Sequence, residues 1–159
     1  MNPYLLFILI VLIGEHCFEL MVSFLNLSCL KNELPEEFKG YYDEEKYKSS
    51  QEYTRVNSNF KRLSSTFSLV VTLVFLLMGG FNFIDKIARN WSSIELLSGL
   101  SFAGSLFLGS MMIRLPFEIY QTFIIEENFG FNKTSAKTFI LDKIKLTFRT
   151  NENGLLSIY

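Results

Sequence analysis

The chain has very little histidine and cysteine: its 159 residues include one His and two Cys. A single His excludes the two-His zinc motif H-E-x-x-H and any three-His metal site on this chain. Two cysteines, Cys17 and Cys29, cannot form a disulfide framework or a four-Cys zinc site. We therefore expect no metal or other cofactor to be held by this chain alone.

Charge is scarce as well. Charged residues make up 19% of the sequence, against about 25% in a typical soluble domain. The 15 basic and 16 acidic residues leave a formal net charge of -1. Such a balance lacks the positive field that captures nucleic acid, so we expect no nucleic-acid partner.

Two long segments contain no charge at all. Leu63–Ile84 is 22 residues long and Leu96–Ile113 is 18 residues long. About 20 apolar residues cross the hydrocarbon core as a helix, which satisfies its own backbone hydrogen bonds there. The alternative, two core helices of a soluble protein, needs more surrounding apolar surface than a chain of this size offers. Both segments are predicted to be transmembrane helices.

A third apolar segment runs from Tyr4 to Leu30 and carries polar residues on one side. Glu15 and Glu19 lie one helical turn apart, and His16 falls on the same stripe. Charged side chains inside a membrane usually face a partner or a water-filled cavity, so we predict a transmembrane helix with one wet face. Two alternatives remain open: the polar residues lie near a helix end and reach the interface, or they hold a metal.

Small residues recur on the last apolar segment. Ser101, Ser105 and Gly109 follow one another at every fourth position. This spacing lets a second helix backbone approach closely, which is how membrane helices associate. We predict a helix-packing face here, and call these three residues the small-residue stripe.

Lys and Arg are concentrated in the 31–62 loop, which has seven, and after position 113, where there are six; the 85–95 connector has two. The positive-inside rule then puts the loop in the cytoplasm, and the N-terminus and connector outside. Ser49 and Glu52 have the spacing of a capping box, which predicts a cytoplasmic helix running into the second span. Pro35 indicates another helix start, the segment 114–117 a kink or exit, and 129–132 a turn. The predicted fold is all-α and integral to the membrane, with about three transmembrane helices plus cytoplasmic amphipathic helices.

Two groups of short sequence motifs indicate a particular family more specifically than these patterns do. One comprises LPEEF at 34–38, YDEEKY at 42–47 and SQEYTR at 50–55; the other comprises FIIEENFGFNKT at 123–134 and FILDKIK at 139–145. In order and spacing they closely resemble the N-terminal membrane region of the CaaX prenyl protease 1 family, over roughly residues 1–146.

This resemblance implies the opening part of a seven-helix membrane barrel around a water-filled chamber. Members of the family are zinc metalloendopeptidases that cleave prenylated CaaX proteins or other membrane substrates. The resemblance also implies that Glu15, His16 and Glu19 line the chamber. The family's H-E-x-x-H helix lies far downstream and has no counterpart in these residues, so no catalytic residue is carried over and we expect the chain alone to be inactive.

Residues 147–159 depart from the family pattern, with polar residues where a further hydrophobic span is expected. We expect a transmembrane domain over 1–146 and a divergent tail over 147–159, explained most simply by a frameshift or premature stop. Alternatives are a stand-alone scaffold, a split-gene partner of a separately encoded catalytic half, or a small transporter-like bundle. Short loops favour a bacterial inner membrane as the location.

Overall fold

The computed structural model describes residues 2–30, 34, 40, 43–91, 94–132, 134–142 and 145. These residues form helices and no strand: α1 (Pro3–Ser28), α2 (Glu44–Leu77), α3 (Gly80–Trp91) and α4 (Glu95–Tyr120), then a π-helical segment (Gln121–Glu126) and a short helix at 136–142. Three stretches are long and apolar enough to cross a membrane, namely Pro3–Ser28, Glu44–Leu77 and Glu95–Glu126. The predicted all-α membrane fold is confirmed.

The first span begins with a conventional helix start. Asn2 caps α1, since its side-chain oxygen accepts a hydrogen bond from the Tyr4 amide at 3.0 Å, and Pro3 occupies the first turn. At about 1.5 Å per residue, the 26 residues of α1 extend about 39 Å, enough to cross a hydrocarbon core of about 30 Å.

The helix predicted before the second span is present and continuous with it, but it starts earlier than expected. Asp43 is the N-cap: its carboxylate accepts from the amides of Glu45 at 3.0 Å and Lys46 at 3.4 Å. Ser49 therefore lies inside α2, and its prediction as a capping residue was wrong. The Pro35 helix start falls outside the described part of the chain.

The second span ends before Ile84. Gly79 follows α2 with a φ of 72°, a left-handed conformation that favours glycine, and α3 then begins at Gly80. A Cβ at Gly80 would collide with the ring of Phe75. The connector predicted after the second span is thus largely helical, and an ion pair joins Asp85 to Arg89 across 2.9 Å on its surface. The hydrogen bond that the Arg89 guanidinium donates to that carboxylate raises the pKa of Arg89.

The segment 114–117 does not end the third span. Pro116 lies inside α4, and the chain continues as the π-helical segment. The turn predicted at 129–132 is present: Gly130 has a φ of 72°, and the carbonyl oxygen of Glu126 accepts from the amides of Phe131 at 2.8 Å and Asn132 at 3.1 Å. This turn closes the third span in place of the expected exit.

Helix α2 is the central element. It packs against α1 on one side and against α4 and the π-helical segment on the other, while α3 packs mainly on α4. Among the described residues, the buried apolar side chains are Leu34, Ala88 and Ile125. Most apolar side chains therefore point outwards, as expected for helices whose solvent is lipid.

Candidate functional site: a polar cleft between the spans

A cleft of about 600 Å³ lies between the three spans, and we call it the polar cleft. Helix α2 forms its floor, and α1 and the end of α4 form its walls. Its polar and charged lining residues are Glu15, His16 and Glu19 from α1, Lys61, Ser64, Ser65, Ser68 and Thr72 from α2, and Arg114, Glu118 and Gln121 from α4 and the π-helical segment. The apolar helices thus enclose a region that can hold water.

All three polar residues singled out on α1 lie at this cleft. His16 contacts α2 directly, with its Nε2 3.1 Å from the Oγ1 of Thr66. The Thr66 hydroxyl donates its proton to the carbonyl oxygen of Arg62 at 2.7 Å, so in this contact it accepts and His16 Nε2 donates. The other ring nitrogen, Nδ1, lies 3.6 Å from a carboxylate oxygen of Glu19.

His16 and Glu19 differ in how far the neighbouring helix covers them. The His16 side chain retains 11% of its accessible surface, whereas that of Glu19 retains 62%. His16 therefore joins α1 to α2, and the carboxylate of Glu19 projects into the open cleft. A functional role for His16 and Glu19 stays a prediction.

The polar residues that α2 and α4 contribute to the cleft were not predicted from the sequence. Ser64, Ser68 and Thr72 recur at every fourth position of α2, and Arg114 and Glu118 have the same spacing on α4. Each set is a helical stripe of the same kind as the one on α1. The signal was present, but short hydroxyl side chains within an uncharged run do not stand out in a hydropathy pattern.

Charges of both signs meet at the cleft. Carboxylates come from Glu15, Glu19 and Glu118, and cationic groups from Lys61 and Arg114. Grouping them around one wet space lowers the cost of placing charge between membrane helices, about 2.5–3.5 kcal/mol for each isolated group. The arrangement suits a hydrated cavity that accommodates polar groups.

The residues present do not fit a zinc ion. Within the described ranges, no three His, Cys, Asp or Glu side chains are grouped so that they could hold a metal. The two partners of His16 are a hydroxyl and one distant carboxylate, which do not complete a tetrahedral site. No chemical step is therefore assigned to a metal on this chain.

Two members of the small-residue stripe, Ser105 and Gly109, line a second cavity of about 430 Å³ together with residues of α2 and α3. A Cβ added at Gly109 would meet no atom within 4 Å. No other helix backbone of the described chain approaches Gly109 closely, so the predicted packing face stays a prediction.

Comparisons with known proteins agree on one family. Residues 23–149 match the model of the CAAX prenyl protease N-terminal family, which is described as having five membrane helices. The probable CAAX prenyl protease 1 of Schizosaccharomyces pombe is 32% identical over 84% of this chain, and CAAX prenyl protease 1 of Saccharomyces cerevisiae is 28% identical over 84%. The chain spans 31% and 32% of the lengths of these two relatives.

A solved structure agrees with the sequence comparisons. The crystal structure of S. mikatae Ste24p superposes with a TM-score of 0.81 at 30% sequence identity, covering 97% of this chain and 38% of that protein. The similarity extends over the three spans that form the polar cleft.

Proposed function

Because the chain belongs to the CAAX prenyl protease N-terminal family, we propose that it forms the N-terminal membrane domain of a zinc metalloendopeptidase of the CAAX prenyl protease 1 type. Residues 1–146 are the proposed domain, and 147–159 the tail. The domain builds part of the wall of an intramembrane chamber in which prenylated CaaX-type or other membrane substrates are cleaved. The polar cleft carries this proposal, because charged side chains between membrane helices usually face a water-filled cavity, and the cleft would form part of the chamber wall.

The domain contributes shape and polarity, and the chemistry resides elsewhere in the enzyme. An H-E-x-x-H helix supplies two imidazoles that bind zinc and a Glu that acts as general base. This sequence contains one His, so it cannot form that motif. The zinc and its ligands are therefore assigned to the part of the enzyme that the relatives carry beyond the matched third. In this proposal Glu15, His16 and Glu19 line the chamber.

The proposed orientation follows the distribution of Lys and Arg. Seven lie in the 31–62 loop, which is assigned to the cytoplasm, and the N-terminus and α3 are assigned to the opposite side. Short loops suggested a bacterial inner membrane, whereas the relatives named above come from yeasts. Cell fractionation of the source organism decides which membrane holds the chain.

A chimera tests the proposal. Residues 1–146 replace the matching N-terminal third of the S. pombe relative, and membranes carrying the chimera are assayed for release of the C-terminal tripeptide from a prenylated CaaX peptide. We expect cleavage that a zinc chelator abolishes, while membranes with the isolated chain show none. Chelator-sensitive cleavage by the isolated chain, or a stably inserted chimera without activity, would contradict the proposal.

A second candidate is a split enzyme, in which this chain pairs with a separately encoded catalytic half. The open side of the polar cleft favours a chain that functions against a partner. Co-expression with the remaining two thirds of the S. pombe relative tests it: activity from two separate polypeptides supports assembly in trans, and activity from the covalent chimera alone counts against it.

A further inference from the structure

Helix α3 is amphipathic, although it is too short to cross a membrane. Its polar residues occupy one half of the helix surface: Asn82, Asp85, Lys86, Arg89 and Asn90. Its apolar residues occupy the other half: Phe81, Phe83, Ile84, Ile87, Ala88 and Trp91. A helix of this kind needs an apolar surface along one side and water along the other.

The protein itself covers only part of the apolar half. The ring of Phe81 lies 5.0 Å from that of Phe75 and 6.5 Å from that of Phe102, measured between ring centroids. Ile84 lines the cavity beside α2 and α4, and Ala88 is buried. We call Phe81, Ile84 and Ala88 the inner face of α3.

The remaining apolar residues form an outer face, consisting of Phe83, Ile87 and Trp91. They recur at every fourth position and keep 66%, 52% and 84% of their accessible surface. Exposed large side chains continue beyond this face at the ends of the neighbouring spans, with Met78 81% and Leu96 80% exposed. Large exposed apolar side chains are therefore found on α3 and on both membrane helices that flank it.

The position of α3 in the chain indicates that lipid lies against its outer face. Helix α3 links the end of the span α2 with the start of the span α4, so it lies where the chain leaves and re-enters the bilayer. Trp is enriched at this level of a membrane because its ring is apolar and its N–H is polar. On the other side of the helix, the Asp85–Arg89 ion pair and Lys86 suit water and headgroups.

We propose that α3 binds the lipid surface through its outer face, with Phe83 and Ile87 in the upper acyl region and Trp91 at headgroup level. The contact sets the depth of the α2–α4 connection in the bilayer. The proposal requires only that the chain is inserted in a membrane, so it stands or falls independently of the chimera experiment.

Trp91 is the only Trp in the sequence, so its fluorescence reports on this face alone. The full chain is reconstituted in phosphatidylcholine vesicles whose acyl chains carry bromine either near the headgroup or near the bilayer centre. We expect blue-shifted emission, a greater fractional loss of emission with the shallow bromine than with the deep one, and weak quenching by aqueous iodide.

A matched variant, Asn82→Trp combined with Trp91→Phe, moves the indole to the middle of the polar half of the same helix. Its emission is expected to be red-shifted, readily quenched by iodide and little affected by either brominated lipid. The proposal is overturned if native Trp91 behaves like this variant. It is also overturned if neither the brominated lipids nor iodide quench Trp91 emission when the protein is diluted in excess lipid, because protein would then cover the outer face.

Discussion

A single side chain, Thr66, connects the polar stripe of α1 to the helix next to it. Its hydroxyl donates a hydrogen bond to the Arg62 carbonyl oxygen of its own helix and accepts one from His16 Nε2. Interhelical hydrogen bonds in membrane proteins contribute about 0.6 kcal/mol on average and about 1.7 kcal/mol at most, because the unfolded chain in the membrane also finds partners. His16 is therefore a modest stabilising contact.

A double-mutant cycle of His16→Leu and Thr66→Val measures this contact. We expect a coupling energy of about 0.6 kcal/mol, and not more than about 1.7 kcal/mol, in the free energy of unfolding. The measurement is reversible unfolding of the reconstituted chain in mixed micelles of increasing denaturing-detergent content, followed by circular dichroism.

Thr72→Val is the control for that cycle. Thr72 also lines the polar cleft, but its hydroxyl donates to the Ser68 carbonyl oxygen of its own helix at 2.8 Å. Its coupling to His16→Leu is expected to be close to zero. Equal coupling for Thr66 and Thr72 would show that the His16 contact is not specific.

At the scale of whole elements, helix ends and turns differ in how well local sequence predicts them. The turn around Gly130 was predictable because a left-handed residue after a helix favours glycine. The start of α2 was not, since Asp43 and Ser49 are both good capping residues and the capping-box pattern favoured the second. With Asp43 as its N-cap, α2 is six residues longer than it would be with Ser49 as its N-cap, which adds nearly two helical turns.

Asp43→Ala is expected to destabilise the first turn of α2 by about 1 kcal/mol, because two amides lose their acceptor. Hydrogen exchange at Glu45 and Lys46 should become about fivefold faster, given that about 1.4 kcal/mol corresponds to a factor of ten. Ser49→Ala, on the same helix, should leave those rates unchanged. Faster exchange in the Ser49 variant alone would restore the capping-box interpretation.

Across the whole molecule, the described chain has little interior of its own. Its aromatic contacts follow a seven-residue spacing on α2: Tyr53 packs on Phe131 at 4.7 Å, Phe60 on Tyr120 at 5.0 Å and Phe67 on Phe117 at 5.2 Å, between ring centroids. The helix that carries these rings was predicted, but not that the three rings pack against the third span. One row of rings joins the central helix to the third span, and the open side of the polar cleft is left for other helices.

Gly109→Leu tests whether the small-residue stripe receives one of those helices. Since a Cβ there has open space, the isolated chain should keep its helix content and membrane insertion. In the chimera with the S. pombe relative, the added bulk should destabilise the assembled enzyme by about 1–3 kcal/mol and lower cleavage of the CaaX peptide.

Leu100→Phe is the matched control, because Leu100 is 69% exposed and lies on the opposite side of α4 from the stripe. It adds bulk without touching the stripe and should leave the chimera's stability and activity near those of the parent chimera. If Gly109→Leu is equally harmless there, no further helix packs closely on Gly109 and the packing prediction fails.

The sequence alone determined the number of membrane spans, the family and the absence of an H-E-x-x-H motif from these residues, but not where the second and third spans end. Those properties are local: a run without charge needs lipid around it, and a motif is either present or not. Only the tertiary structure decided that polar stripes on three separate helices meet at one cleft, that His16 bonds to Thr66, and that α3 leaves its outer face uncovered. Helical periodicity indicates which residues share a face, but the packing of helices against one another decides which faces meet.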